Sequence, residues 1–278
     1  MTGPLLEVED LRVTFRTPHR LVHAVRGVSF AVGREKLGIV GESGSGKSAT
    51  GRAILKLTPP NATVAARRLR FEEVDIAAAG EREMLALRGR RIGMILQDPK
   101  FSLDPVMRVG DQIAEALPPG LGRAEARARV LDMLEAVHIR DPRRVYDLYP
   151  HEVSGGMGQR VMIAMMLMPA PRLLIADEPT SALDVTVRMQ VLSILDELVT
   201  RRGLGLMFIS HDLNLVASFC DRVLIMYAGR VVETCKASEL HAARHPYTRG
   251  LLASLPRIGE RRRILPTLTR DPAWETDP

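Results

Sequence analysis

One stretch, KLGIVGESGSGKSATGRAILKLTPP at residues 36–60, constrains the fold more than any other. Its apolar start, 36–40, reads as a short buried strand that enters a glycine-rich loop with no spacer. The pattern after the loop is helical until the prolines stop it. In that order the chain gathers backbone N–H groups at one point, because glycine curls where a Cβ would obstruct. The helix adds the positive end of its dipole. Gly41, Gly46, Lys47 and Ser48 fit G-x-x-x-x-G-K-[ST] in full, with Glu42, Ser43, Gly44 and Ser45 between them and Ala49 following. Such a loop is expected to cradle nucleotide phosphates. Lys47 reaches the β- and γ-phosphates, and the Ser48 hydroxyl ligates Mg2+.

The surrounding pattern extends this unit into a layered core. LLEVEDLRVTF and AVRGVSFAV alternate as half-exposed strands, so an antiparallel piece precedes the loop. RIGMIL (91–96), RLLIAD (172–177) and GLMFIS (205–210) read as buried strands, and residues 185–202 as a helix. Buried strands separated by helices predict an α/β fold. The middle, about 107–168, lacks strand patterning: it holds an amphipathic helix (GRAEARARVLDMLEAVH), an irregular YDLYPHE and a Met-rich helix. It reads as a helical subdomain inserted into the core. RVLIMYAGRVVETC predicts a hairpin turning at Ala228-Gly229. One domain is expected over 1–255, followed by an extended Arg- and Pro-rich tail, 256–278.

Composition narrows the class. The longest apolar block, VMIAMMLM, is far short of the roughly 20 residues that span a bilayer, so the chain is not expected to cross a membrane by itself. Neither end carries a targeting pattern. Cys220 and Cys235 lack metal-ligand spacing and fit incidental thiols in a reducing cytosol. The net charge of +6 comes with dispersed arginines and no interleaved aromatics, so no nucleic-acid platform is expected.

Polar residues at strand ends supply the remaining chemistry. Asp177 ends an apolar run, where its carboxylate would hold Mg2+; Glu178 beside it suits polarising an attacking water. Gln97 follows IGMIL and could contact Mg2+ or the water, and His211 follows LMFIS, within reach of a γ-phosphate. Each alone is compatible with a strand-end cap. A second glycine loop, VSGGMGQR at 153–160, stands more than a hundred residues from the first.

These motifs together resemble the ATP-binding cassette ATPases over nearly the whole chain. GESGSGKS looks like their Walker A and LLIADE like their Walker B. Gln97 matches the Q-loop, SALD the D-loop, SHD the switch-histidine motif and VSGGMGQR the signature motif. The resemblance implies a P-loop NTPase nucleotide-binding domain with an antiparallel β subdomain and an inserted helical subdomain. Phe15 matches an aromatic that stacks on adenine, although a lone Phe on an alternating strand also suits a core. A closer likeness, to ATPase subunits of oligopeptide, dipeptide and nickel importers, rests on MILQDP, SLDPVMRVGDQI, YPHEVSGGM, LLIADEPTSALDVTVRMQVL and RHPYTRGLLASLP.

The same resemblance implies an ATP- and Mg2+-dependent motor on the cytoplasmic face of the cell membrane. It would work with a second cassette, identical or homologous, and with two transmembrane permease subunits. An extracytoplasmic solute-binding protein would be an indirect partner. Two cassettes would pair head to tail, with Ser154 and the amides of Gly155 and Gly156 capping ATP held by the other subunit. Glu178, His211 and Gln97 would serve hydrolysis. Di- or oligopeptide is the first expectation for cargo, with nickel, glutathione or another small solute as alternatives. A soluble cassette acting on nucleic acid is the rival from another class, opposed by the single cassette and the absence of a heptad arm. Two residues depart from the family: Gly158, where a basic residue usually follows SGGM, and Cys235, where many members have glycine. The tail has no cysteine after Cys235, so no iron–sulfur cluster is expected.

Overall fold

The computed structural model describes residues 3–96, 102–181 and 183–255, with Asp271 and Trp274 beyond them. It divides into two compact units, residues 1–79 with 208–278, and residues 80–207. The expected helical insertion, 107–168, is thus only part of the second unit. Its helices pack on neighbouring strands and cluster with them: a Cβ on Gly93 would lie 3.2 Å from the carbonyl of Met166.

In the first unit, β1 (Leu6–Arg16) pairs antiparallel with β2 (Leu21–Val32). The register shifts between Val8 and Leu11, where Asp10 is left-handed at φ 50° and its amide donates to Ser29 Oγ at 2.9 Å. This bulge lets Val8 and Leu11, an odd number of residues apart, both face the core. β3 (Lys36–Val40) is the expected buried run, and α1 (Lys47–Ile54) the expected helix. β4 (Ala62–Ala65) and β5 (Arg68–Phe71) extend the antiparallel sheet on β1, and β6 (Val74–Asp75) pairs with β5. In β5 the arginines face out while Leu69 and Phe71 are buried. Arg68 pairs with Glu7 at 3.0 Å and Arg67 with Glu9 at 3.1 Å; such exposed pairs contribute about 1 kcal/mol at most.

The second unit runs α2 (Glu81–Leu87), β7 (Ile92–Ile95), α3 (Val109–Glu115), α4 (Arg123–Ala136), α5 (Pro142–Asp147), α6 (Gly155–Leu167), β8 (Leu173–Asp177) and α7 (Val185–Arg202). β7 and β8 pair in parallel. YDLYPHE is less irregular than expected: Tyr146 and Asp147 belong to α5, and Pro150–Glu152 is a 3-10 turn. The helix starts upstream because Asp141 accepts the Arg144 amide at 3.1 Å and Pro142 occupies its first position. Gly110 seats α3 against α5, since a Cβ there would meet the Tyr146 ring at 2.2 Å. No described helix is long and apolar enough to cross a membrane.

Along β9 (Gly205–Ser210) the chain returns to the first unit, continuing into α8 (Leu213–Phe219), β10 (Arg222–Tyr227), β11 (Arg230–Lys236) and α9 (Pro246–Ser254). β10 pairs in parallel with β3 and antiparallel with β11. The β10–β11 hairpin turns at Ala228-Gly229, with φ 46° and 83°, the two left-handed residues of a tight hairpin turn. α8 packs on β3 where Gly38 admits it: a Cβ would sit 2.2 Å from Val216 Cγ1. Beside it, Cys220 is buried, which pushes its thiol up to about 12 and leaves it unreactive.

Candidate functional site

The loop joining β3 to α1 has the geometry its glycines imply. A Cβ on Gly41 would lie 2.1 Å from the carbonyl oxygen of Met226, and one on Gly46 would lie 2.3 Å from that of Ala24. Gly44 and Gly46 also take φ values of 82° and 100°. Backbone, not a movable side chain, leaves no room at Gly41 and Gly46. The hairpin tip braces the loop, with the Gly229 amide donating to the Ser45 carbonyl at 3.1 Å. Lys47 is buried, and its Nζ donates to the carbonyls of Gly41 and Glu42 at 2.8 Å each. The ammonium thus sits against the rim of the curled backbone. Ser48 and Ala49 follow it in the first turn of α1, both half-buried. This is a cradle that a Cβ would fill, of the kind that accepts phosphate oxygens.

His211 shares a cavity of about 410 Å3 with Gly41, Glu42 and Ser43. Leu213, Leu251 and Leu255 complete its lining. The residues flanking His211 hold the turn: the Asp212 amide donates to Ser210 Oγ, and the Asp212 carboxylate accepts the Leu215 amide, each at 3.0 Å. Asp212 is thereby the cap of α8, and His211 projects as an exposed side chain. Phe15 is half-buried on β1, opposite Val22 and Ala62.

In the second unit, Asp177 is the buried last residue of β8, 2% exposed. Glu178 follows with φ 49°, a left-handed conformation that costs a non-glycine residue roughly 1–2 kcal/mol. Its carbonyl accepts the Ser181 amide at 3.3 Å and the Ser181 hydroxyl at 3.2 Å, so the turn after the strand is pinned. Gln97 lies outside the described residues.

Ser154 caps α6, its hydroxyl accepting the Met157 amide at 3.3 Å. A hydroxyl that accepts still has a hydrogen to donate. Ser154 and Gly155 are exposed at the helix N-terminus, and a Cβ on Gly155 would meet nothing within 4 Å. Gly156 differs: its Cβ would lie 2.6 Å from Val187 Cγ1, so α7 requires a glycine there for packing. Gly158, where the family pattern departs, is buried, its amide donating to the Ser154 carbonyl at 2.8 Å.

Sequence reasoning missed how the loop is held from the C-terminal side. The Glu42 amide donates to the Tyr247 hydroxyl at 3.1 Å. Tyr247 lies in the RHPYTRGLLASLP segment, and the only local hint was Pro246, which opens α9 with His245 as its cap.

Comparison with known proteins places these features in one family. The family model described as ABC transporter matches residues 25–181. The chain is 48% identical over 259 residues to the oligopeptide transport ATP-binding protein OppD of Bacillus subtilis, covering 91% of this chain and 72% of that protein. It is 49% identical over 258 residues to OppD of Salmonella typhimurium, covering 91% and 77%. Among solved structures, the dimeric structure of MJ0796, a bacterial ABC transporter cassette, matches with a TM-score of 0.75 and 25% identity, covering 84% of this chain and 98% of that one.

Proposed function

The chain belongs to the ABC transporter family, as an ATPase cassette with the P-loop NTPase fold, and from that premise we propose that it energises uptake of di- or oligopeptides. The likeness to oligopeptide transport ATP-binding proteins over 91% of the chain carries this reading. Its partners in this reading are a second cassette, two permease subunits on whose cytoplasmic side it docks, and indirectly an extracytoplasmic binding protein. Nickel or another small solute is the alternative cargo.

The proposed site has two parts. The amides of the 41–49 loop and Lys47 bind the phosphates of ATP, and Phe15 stacks on adenine. Mg2+, held by Ser48, Asp177 and Gln97, would offset charge gathering on the phosphates. Glu178 orients the attacking water and accepts its proton, while His211 donates to the γ-phosphate as charge develops there. The turn at Glu178, pinned by Ser181, supports this role by fixing the backbone from which the carboxylate projects. Ser154, Gly155 and Gly156 take the γ-phosphate of a nucleotide carried by the partner cassette, helped by the dipole of α6. ATP then joins two subunits, and hydrolysis releases them.

The test uses membranes holding the full chain with its permeases and binding protein. Peptide should stimulate ATP hydrolysis, and Glu178→Gln should retain ATP binding while turnover falls about 100-fold or more. Stimulation by nickel alone would replace the peptide reading, and undiminished turnover in Glu178→Gln would remove that residue from its role.

A further inference from the structure

We propose that Tyr247 is a positioning residue for the phosphate loop, setting its shape through the Glu42 amide. The inference rests on the reading that the 41–48 loop binds ATP. The peptide unit joining Gly41 to Glu42 is gripped at both ends. Its N–H, on Glu42, donates to the Tyr247 hydroxyl at 3.1 Å, and its carbonyl, on Gly41, accepts from Lys47 Nζ at 2.8 Å. The next carbonyl, that of Glu42, accepts from Lys47 Nζ at 2.8 Å and from the Ser45 amide at 3.2 Å. A peptide unit is planar, so fixing both ends of the first fixes the plane from which residues 42–46 continue. It also fixes one of the two carbonyls that orient the Lys47 ammonium.

Tyr247 is suited to the task because its ring is packed on several sides. It is fully buried, and its ring lies 4.5 Å from that of Tyr227, centroid to centroid. Trp274 closes over both, 6.1 Å from Tyr247 and 5.9 Å from Tyr227. The start of α9 is anchored as well. The amides of Arg244 and His245 donate to the Glu233 carboxylate on β11 at 2.6 and 3.3 Å, and the Tyr247 amide donates to His245 Nδ1 at 3.2 Å. The same helix brings Leu251, and its C-cap Leu255, to the cavity shared by His211 and the loop. The phosphate loop is therefore shaped partly by a segment 205 residues away in sequence.

Removing the hydroxyl while keeping the ring deletes this contact. Full-length wild type, Tyr247→Phe and Tyr227→Phe are titrated calorimetrically with ATP and Mg2+, and hydrolysis is followed against ATP concentration in the assembled transporter. Tyr247→Phe should bind ATP roughly three- to tenfold more weakly, the equivalent of one lost hydrogen bond. Its KM should rise in parallel while kcat stays within about twofold of wild type. Tyr227→Phe, which alters the same aromatic cluster without touching the Glu42 contact, should bind ATP as wild type does. Both variants should melt within about 2 °C of wild type without nucleotide, with unchanged emission from Trp274, the only tryptophan.

Wild-type affinity in Tyr247→Phe overturns the inference and leaves the ATP reading standing. Equal loss in Tyr227→Phe, or a fall in melting temperature well beyond about 2 °C accompanying the loss, assigns the effect to packing and also overturns it. Failure of the wild type to bind ATP removes the reading of the loop and this inference together.

Discussion

Gly41 and Gly46 answer to nearby backbone; Gly155 and Gly156 open a helix. A side chain on Gly41 or Gly46 would run into a carbonyl oxygen of another strand, which cannot swing aside. A side chain on Gly155 would meet nothing, and one on Gly156 would meet a single valine. The first loop is a finished cradle, curled, braced by a hairpin and anchored through its own lysine. The second is an exposed helix start with one capped amide and no curl. The difference suits a loop that holds the subunit's own nucleotide and a surface that completes a nucleotide site on another subunit.

Gly41→Ala probes the contrast most severely. Its Cβ would sit 2.1 Å from the Met226 carbonyl, forcing the loop or β10 to shift. A displacement of about 1 Å in a positioning element can cost 100-fold, so ATP affinity should fall about 100-fold or more. Overpacking should lower stability by about 1–3 kcal/mol. Calorimetric titration and denaturant unfolding read both effects. Retained affinity would mean that the curl at Gly41 does not shape the phosphate site.

The same contrast marks what the sequence could reveal. The strand–loop–helix order, the helix at 185–202 and the turn at Ala228-Gly229 were legible because each is encoded within a few neighbouring residues. RLRF carries a local signal as well, since its alternation of arginine with apolar residues matches the burial of β5. The bulge at Asp10, the left-handed backbone of Glu178 and the Tyr247 contact had no local signature. The Asp10 and Tyr247 contacts depend on which distant segment arrives beside them. The site's residue types were therefore readable and its supports were not. Gly156 is intermediate: the motif named it, while its packing against Val187 needed the fold.

Ser154→Arg tests the second loop's outward role. The variant should bind ATP as a monomer with wild-type affinity but fail to pair on adding ATP, as read by light scattering with Glu178→Gln as the background. Ser154→Ala controls for the lost cap, which costs about 1 kcal/mol. It should weaken pairing less than the arginine does. Pairing of Ser154→Arg at the level of its background would place the subunit contact elsewhere.

Adjacent glycines in the second loop give the finest test, because they should respond with opposite signs. Gly156→Ala places a Cβ 2.6 Å from Val187 Cγ1 and should cost about 1–3 kcal/mol of stability. Val187→Ala in the same chain should restore part of that, since it removes the atom that clashes; the two changes are coupled by direct contact. Gly155→Ala enters open space at the first helical position and should stabilise by about 0.4–1 kcal/mol, through lower entropy of the unfolded chain. Chemical denaturation of the four proteins separates the cases. If Gly155→Ala gains stability yet loses ATP-driven pairing, that glycine serves the approach of a partner's phosphate and not the fold. If it gains stability with pairing intact, the amide of Gly155 is reached from a direction its Cβ does not obstruct.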